Sequence, residues 1–351
     1  MTSNSPTSSD TPGTPAPSAG DTPRFTSGAP SLLTRSRKEL AIFALLVVLC
    51  AVVAVLNHSF LGAENLQNMS RLIGLFGIFS LGMGVVIITG GIDLSVGSLF
   101  ALEGVVLSIL LTEKHWPAPL ATIICLGLTM GLGLVHGVLI TRVPLQPFIV
   151  TLCGLLIYRG LGRFIADDST KGFGDAHGFE GLQTLATGNV LGIPMPFVVL
   201  IVLSVIMWVV LHRSVYGRYL YAVGRNEEAA RYSGINTKQV ITVAYIVSGI
   251  LAGIAGILFG FYTNSISPSS HGNSYELYGI AAAVLGGCSL RGGEGSVIGI
   301  LIGAALLQVL QNLVNLLGIP SSLNFAVMGA VILLGVMADE FVKRRGGKRK
   351  A

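Results

Sequence analysis

Long apolar runs recur along this chain with little of the polar interruption that marks a water-facing helix side. Spanning about 30 Å of hydrocarbon takes about 20 apolar residues as a helix. Ten segments answer to that, near 40–57, 71–89, 94–112, 118–141, 146–166, 195–212, 240–261, 277–288, 296–317 and 322–338. The eighth is short and broken by glycine, and the fifth carries Arg159 and Arg163. Backbone groups in lipid must be satisfied within the protein, so a broken helix points to burial inside a bundle. The pattern predicts an all-α polytopic membrane protein with about ten transmembrane helices.

The ends of the chain read differently. Residues 1–37 hold six of the 14 prolines and many Ser and Thr, a composition with too little apolar surface to pack. They are expected to form a disordered tail. A secretory signal would start basic and turn apolar within about 10 residues, and this segment does neither, so the run from Leu40 is expected to stay as a membrane helix. The membrane-spanning body is then 38–340, and 341–351 is a basic tail.

Composition sharpens this picture. Only 11% of residues are charged and 52% are hydrophobic, with a mean hydropathy of +0.74, where a soluble domain carries about 25% charged residues. A soluble enzyme is excluded. The net charge of +5 comes from basic residues beside apolar segments, which points to membrane orientation rather than to nucleic acid. With an inside amino terminus and ten spans, 17 of the 22 Lys and Arg fall on one side. Both termini are therefore expected to be cytoplasmic, and Arg71, Lys114, Arg159, Arg163 and Lys171 to lie outside or to snorkel from outer helix ends. The four cysteines are isolated, which argues against a disulfide framework or a zinc site.

Glycines four apart, at Gly127/Gly131, Gly133/Gly137, Gly249/Gly253, Gly256/Gly260 and Gly295/Gly299/Gly303, predict close helix packing. The longest inside segment, 213–239, has Asn226 placed to cap a short helix, Glu227 and Glu228 in its first turn, and Gly234 to end it. It is either a solvated connector or a contact for another protein. Two glycine loops echo each other: Gly90, Gly91, Leu94, Gly97 and Ser98 recur as Gly286, Gly287, Leu290, Gly295 and Ser296. Asp93 stands where the third helix needs a cap, or where a partner would touch. Glu103, well inside the third span, is the only acid expected in mid-span, and an ionisable group there is a functional hypothesis by default. It is a satisfied or protonated carboxyl between helices, a group on a solute path, or a residue nearer a helix end. Gln308, Gln311, Asn312 and Asn315 share one helix face, with amides suited to a neutral polyol or to gluing helices together.

Glu228, Ala229, Ala230 and Gly234 reproduce the EAA-x3-G core with which permeases of ATP-binding cassette importers dock their ATPase. Together with GGIDLSVGS at 90–98, QPFIVTL at 146–152, YRG at 158–160, GRYLYAVGRNEEAARYSGI at 217–235 and LGGCSL to GS at 285–296, the chain resembles the ribose-type sugar permease family of the branched-chain amino acid/ribose permease superfamily, over about 40–339. The resemblance implies a type II importer bundle, usually a homodimer, in a bacterial inner (plasma) membrane. Its partners would be a fused double-cassette ATPase inside and a periplasmic or lipid-anchored sugar-binding protein outside. It makes Gly217, Arg218, Asn226, Glu227, Glu228, Ala229, Ala230 and Gly234 the ATPase-coupling residues, and ribose or a related pentose or hexose the cargo. His136 stands where the family has Asn, and Glu103 where it more often has a small residue.

No G-x4-GK-[ST] phosphate loop occurs in the chain, so ATP and Mg are expected on the partner, with no catalytic, cofactor-binding or metal-binding residue here and no nucleic-acid partner. An ion-coupled secondary transporter is the alternative, and it needs a relay of intramembrane acids. An intramembrane enzyme lacks a nucleophile and base at helical spacing, and His136 has no carboxylate so placed.

Overall fold

The computed structural model describes residues 32–174 and 178–320, with scattered positions between 323 and 337. Contacts divide the chain between Arg37 and Lys38, and apart from its first residues everything below belongs to the unit beginning at Lys38. Its helices are α1 (Leu32–Leu56), α2 (Ala63–Ile88), α3 (Val96–Ser108, continued by a π turn to Glu113), α4 (Ala118–Thr141), α5 (Pro147–Ile165), α6 (Glu180–Thr187), α7 (Met195–His212), α8 (Val215–Arg225), α9 (Glu227–Tyr232), α10 (Thr237–Thr263), α11 (Tyr275–Leu285) and α12 (Val297–Leu316). A two-residue hairpin pairs β1 (Asn189–Val190) with β2 (Ile193–Pro194).

Among the described residues, eight helices are long and apolar enough to cross a membrane: α1, α2, α3 with its π turn, α4, α5, α7, α10 and α12. The expected eighth segment is α11, whose 11 residues would reach only about 16 Å. The expected tenth, 322–338, falls largely outside the described residues. The first helix starts earlier than its apolar run, taking in Arg35, Arg37 and Lys38. Neither α6 nor the hairpin was legible as an element, because both are short and locally polar.

Burial separates centre from periphery. Most of α2 and α10 is buried, whereas α1 buries little and α4, α5 and α7 turn apolar side chains outward. At the centre α10 packs on α4, α2 and α3, while α2 packs on α7, α11 and α12. Small residues permit this: a side chain on Gly133 would strike the Tyr245 carbonyl, and one on Gly249 the Thr129 carbonyl. The pair Gly127 and Gly131 departs from expectation, since among the described residues nothing beyond the helix itself lies within 4 Å of where their side chains would stand. An aromatic cluster fills the core, with Phe76, Phe79, Phe100, Phe259 and Tyr275 rings 5.0–6.2 Å apart.

Two breaks shape the interior. Between α2 and α3 the chain runs unwound through 89–95, and between α10 and α11 the segment 264–274 folds back until Gly272 touches Gly97. Irregular backbone at such depth is tolerated only where protein surrounds it. Ile92 shows how: its carbonyl accepts from the hydroxyls of Tyr245 and Thr151, both at 3.3 Å.

Candidate functional site

The 213–239 segment folds as two helices whose ends follow from their sequence. Ser214 accepts the Gly217 N–H at 3.1 Å and starts α8, and a side chain at Gly217 would collide with the Leu211 carbonyl. Leu220 and Val223 are buried beneath α8 while Arg218 stays exposed. Asn226 accepts the Ala229 N–H at 2.9 Å and starts α9, with Glu227 and Glu228 in the first turn, where carboxylates oppose the helix dipole. Gly234 ends it at φ +85°, a conformation that costs other residues. Ala230 is buried, and Glu227, itself exposed, accepts from the Thr237 hydroxyl at 3.1 Å. Glu228, Ala229, Arg231 and Tyr232 remain exposed, an outward surface with mixed charge and one large ring.

On its inner side α8 rests on both glycine loops. The Gly224 Cα sits so close to the Ile88 carbonyl and the Gly293 N–H that no side chain would fit. Gly293 donates to that carbonyl at 2.8 Å, and the Tyr221 hydroxyl donates to the Gly295 carbonyl at 2.8 Å. The two loops also meet each other, since a side chain on Gly292 would stand 2.9 Å from the Gly90 nitrogen. Gly91 lies beneath the Tyr245 hydroxyl, and Gly286 against the Gly299 carbonyl. The loops that echo each other in sequence thus form one platform, and Gly287 is the member whose neighbours are loosest.

Beyond the platform lies a buried polar centre. Asp93 accepts the N–H (3.0 Å) and hydroxyl (2.6 Å) of Ser95, just ahead of the first residue of α3, and the Ser248 hydroxyl of α10 at 3.3 Å. His136 of α4 shares a 2.8 Å hydrogen bond with the Tyr158 hydroxyl of α5, and Tyr245 meets the His136 ring edge-on. A cleft of about 720 Å³ opens beside this centre, with Gly90, Thr141, Arg142, Glu227, Lys238 and Tyr245 among its walls. The same cleft therefore touches the α9 region and the tyrosine that holds the unwound linker.

The amide stripe of α12 divides. Asn312 exchanges two hydrogen bonds, 2.7 and 3.1 Å, with Asn65 at the start of α2. Gln311 shares one with the Tyr278 hydroxyl, Gln308 is buried, and Asn315 is exposed. Glu103 is fully buried within α3, its oxygens turned towards Gly253 and Gly256 of α10 with no hydrogen-bond partner among the described residues. That placement removes the reading in which it lies near a helix end.

Two further acids are buried beside the mid-span Glu103: Asp93 in the linker and Glu276 in the first turn of α11 are 2% and 9% exposed. The linker and the segment before α11 carry them inward, which helical periodicity does not foresee. One expectation needs correcting, because Arg159 does not snorkel. Its guanidinium donates inward to the carbonyls of His271 (2.7 Å), Pro268 (3.2 Å) and Gly97 (3.4 Å). Arg163, one turn further on, does face out, and its fork on Asp168 at 2.6 and 3.1 Å holds that carboxyl below the usual range.

Comparison with known proteins fits this architecture. Residues 65–336 match the family described as branched-chain amino acid transport system / permease component. The chain is 40% identical to the ribose import permease protein RbsC of Bacillus subtilis (strain 168) over 303 residues, which is 86% of this chain and 92% of that protein. It is also 40% identical to RbsC of Escherichia coli (strain K12) over 295 residues, 84% of this chain and 91% of the relative. The D-allose transport system permease protein AlsC of the same E. coli strain is 32% identical over 304 residues, 86% and 91% of the two chains.

Proposed function

This chain belongs to the permease component family of branched-chain amino acid transport systems, and we propose that it forms the translocation path of an ATP-driven importer for a monosaccharide, with D-ribose the first candidate cargo. Permeases of this family are the non-catalytic, multi-pass membrane subunits of ATP-binding cassette importers. The observation that carries the finer reading is the seat of α8 and α9. These helices present Glu228, Ala229 and Tyr232 outward, while Gly224 rests on the Ile88 carbonyl, where the unwound linker 89–95 begins, and Gly224 and Tyr221 rest on the 286–296 loop that packs against it. A push on α9 by a partner ATPase is thereby delivered to Ile92 and Asp93 at the heart of the bundle.

In this reading α8 and α9 are cytoplasmic, as are both termini, which agrees with the one-sided Lys and Arg. ATP and Mg are bound by the partner, a fused double cassette. A second copy of this chain completes the path, and a binding protein delivers sugar at the opposite end. Gln308 and Gln311 belong to the path, while Asn312, through Asn65, also ties α12 to α2. Glu103 alone is no proton relay, because Asp93 is bonded to Ser95 and Ser248 and Glu276 lies against Gly97 at the start of α3. The test is reconstitution of the chain with its ATPase and binding protein. D-ribose should accumulate inside only when ATP is hydrolysed; accumulation driven by an ion gradient without ATP would refute the proposal.

A further inference from the structure

Arg159 is a charged group in the middle of an apolar helix, and its partners are unusual. All three acceptors are backbone carbonyls, and they come from the two broken regions: Pro268 and His271 from the segment folded back between α10 and α11, and Gly97 from the first turn of α3. Around it the two backbones touch. A side chain on Gly97 would strike the Gly272 carbonyl, and would stand 2.5 Å from Glu276 Oε2. Glu276, in the first turn of α11, stands against Gly97 and offers Arg159 an opposite charge. Among the described residues the buried Nε2 of His271 has no hydrogen-bond partner, and its ring packs edge-on against Phe259, so the polar attachment of the segment 267–272 here runs through its carbonyls and Arg159.

Neither broken region has a regular helix to satisfy its carbonyls, and unpaired carbonyls in a bundle interior are costly. The planar guanidinium has five donors in a fixed fork, which lets one side chain serve acceptors on two separate segments. We propose that Arg159 is a positioning residue that staples the folded-back segment 264–274 to the start of α3, so that the two move as one body. The linker 89–95 enters α3 directly. A displacement that begins at α8 and the glycine platform therefore reaches, through α3 and Arg159, the segment at the opposite end of the bundle. Rigid attachment there makes sugar entry respond to the coupling helices, a role that rests on the importer reading above.

Arg159→Gln removes the fork, and Arg159→Lys keeps the charge with a single ammonium. Two readouts separate a positioning role from a merely structural one: backbone hydrogen exchange across 264–274 in lipid nanodiscs, and D-ribose taken up per ATP hydrolysed by the assembled importer. In Arg159→Gln exchange in 264–274 should rise while α2 and α10 keep their protection. Uptake per ATP should fall about tenfold, what one charge-assisted hydrogen bond is worth, with basal ATP hydrolysis retained. Arg159→Lys should restore part of both. Unchanged exchange in 264–274 would overturn the staple whatever the transport result. Raised exchange with unchanged uptake per ATP would overturn its part in coupling. A wild-type importer that takes up no D-ribose would refute the sugar reading instead, and the exchange measurement would still decide the staple.

Discussion

Glu103 shows how far a single residue constrains the account. An isolated ionised carboxylate in a low-dielectric interior is far costlier than the neutral acid, and among the described residues Glu103 has no hydrogen-bond donor on either oxygen. The neutral acid packed against Gly253 and Gly256 is the form this site accommodates. Glu103→Gln should therefore leave thermal stability and uptake close to wild type, since shape and neutrality are kept. A lost uptake with an intact, assembled chain would show that the carboxyl itself takes part in transport. Glu103 was visible in the sequence because an acid stands out in an apolar run; its lack of a partner was not, because that depends on which helix faces it. Arg159 was visible for the same reason, and its inward aim was hidden for the same reason.

At the scale of elements, caps were the most legible features. Asn226, the following pair of glutamates and Gly234 specify α9 locally, and the structure places each where its backbone chemistry requires. Asn226→Ala should cost about 1 kcal/mol of local helix stability, read as faster hydrogen exchange in 227–232 with the spans unaffected. Replacing Gly234 by Val forces a left-handed conformation worth about 1–2 kcal/mol on a branched side chain, although no atom obstructs it. That variant should weaken ATPase association in a pull-down while membrane insertion persists. The stripe on α12 was legible as a face but not as two functions. Asn312 meets Asn65 from a helix far away in sequence, and only tertiary packing decides such a meeting. A double-mutant cycle with Asn65→Leu and Asn312→Leu should give a coupling of about 0.6–1.7 kcal/mol in assembly or thermal stability. Gln311→Leu should lower uptake while assembly persists; an unchanged uptake would make that residue structural too.

For the whole molecule, the alternation of apolar runs and one-sided charge predicted a polytopic bundle, and the family match agrees with it. What escaped the sequence was the interior. The unwound linker 89–95 and the fold-back at 264–274 carry Asp93, Glu276 and the acceptors of Arg159 into the bundle, where periodicity sees only loops between spans. The glycine repeats foretold close approach at Gly133, Gly249 and Gly303, where a side chain would collide with a neighbouring helix. They did not foretell that Gly127 and Gly131 would meet no other described residue, because spacing alone does not say which face turns inward. The central claim is that α8 and α9 receive force from an ATPase and pass it through the glycine platform to the linker. The most direct test is to measure D-ribose uptake and ATP hydrolysis together in proteoliposomes holding the full importer, with wild type and with Gly224→Val. That substitution wedges α8 away from the Ile88 carbonyl and Gly293 without touching the outward face of α9. The account predicts that the ATPase stays bound and hydrolyses ATP while uptake per ATP collapses; wild-type uptake per ATP in the assembled variant would contradict it.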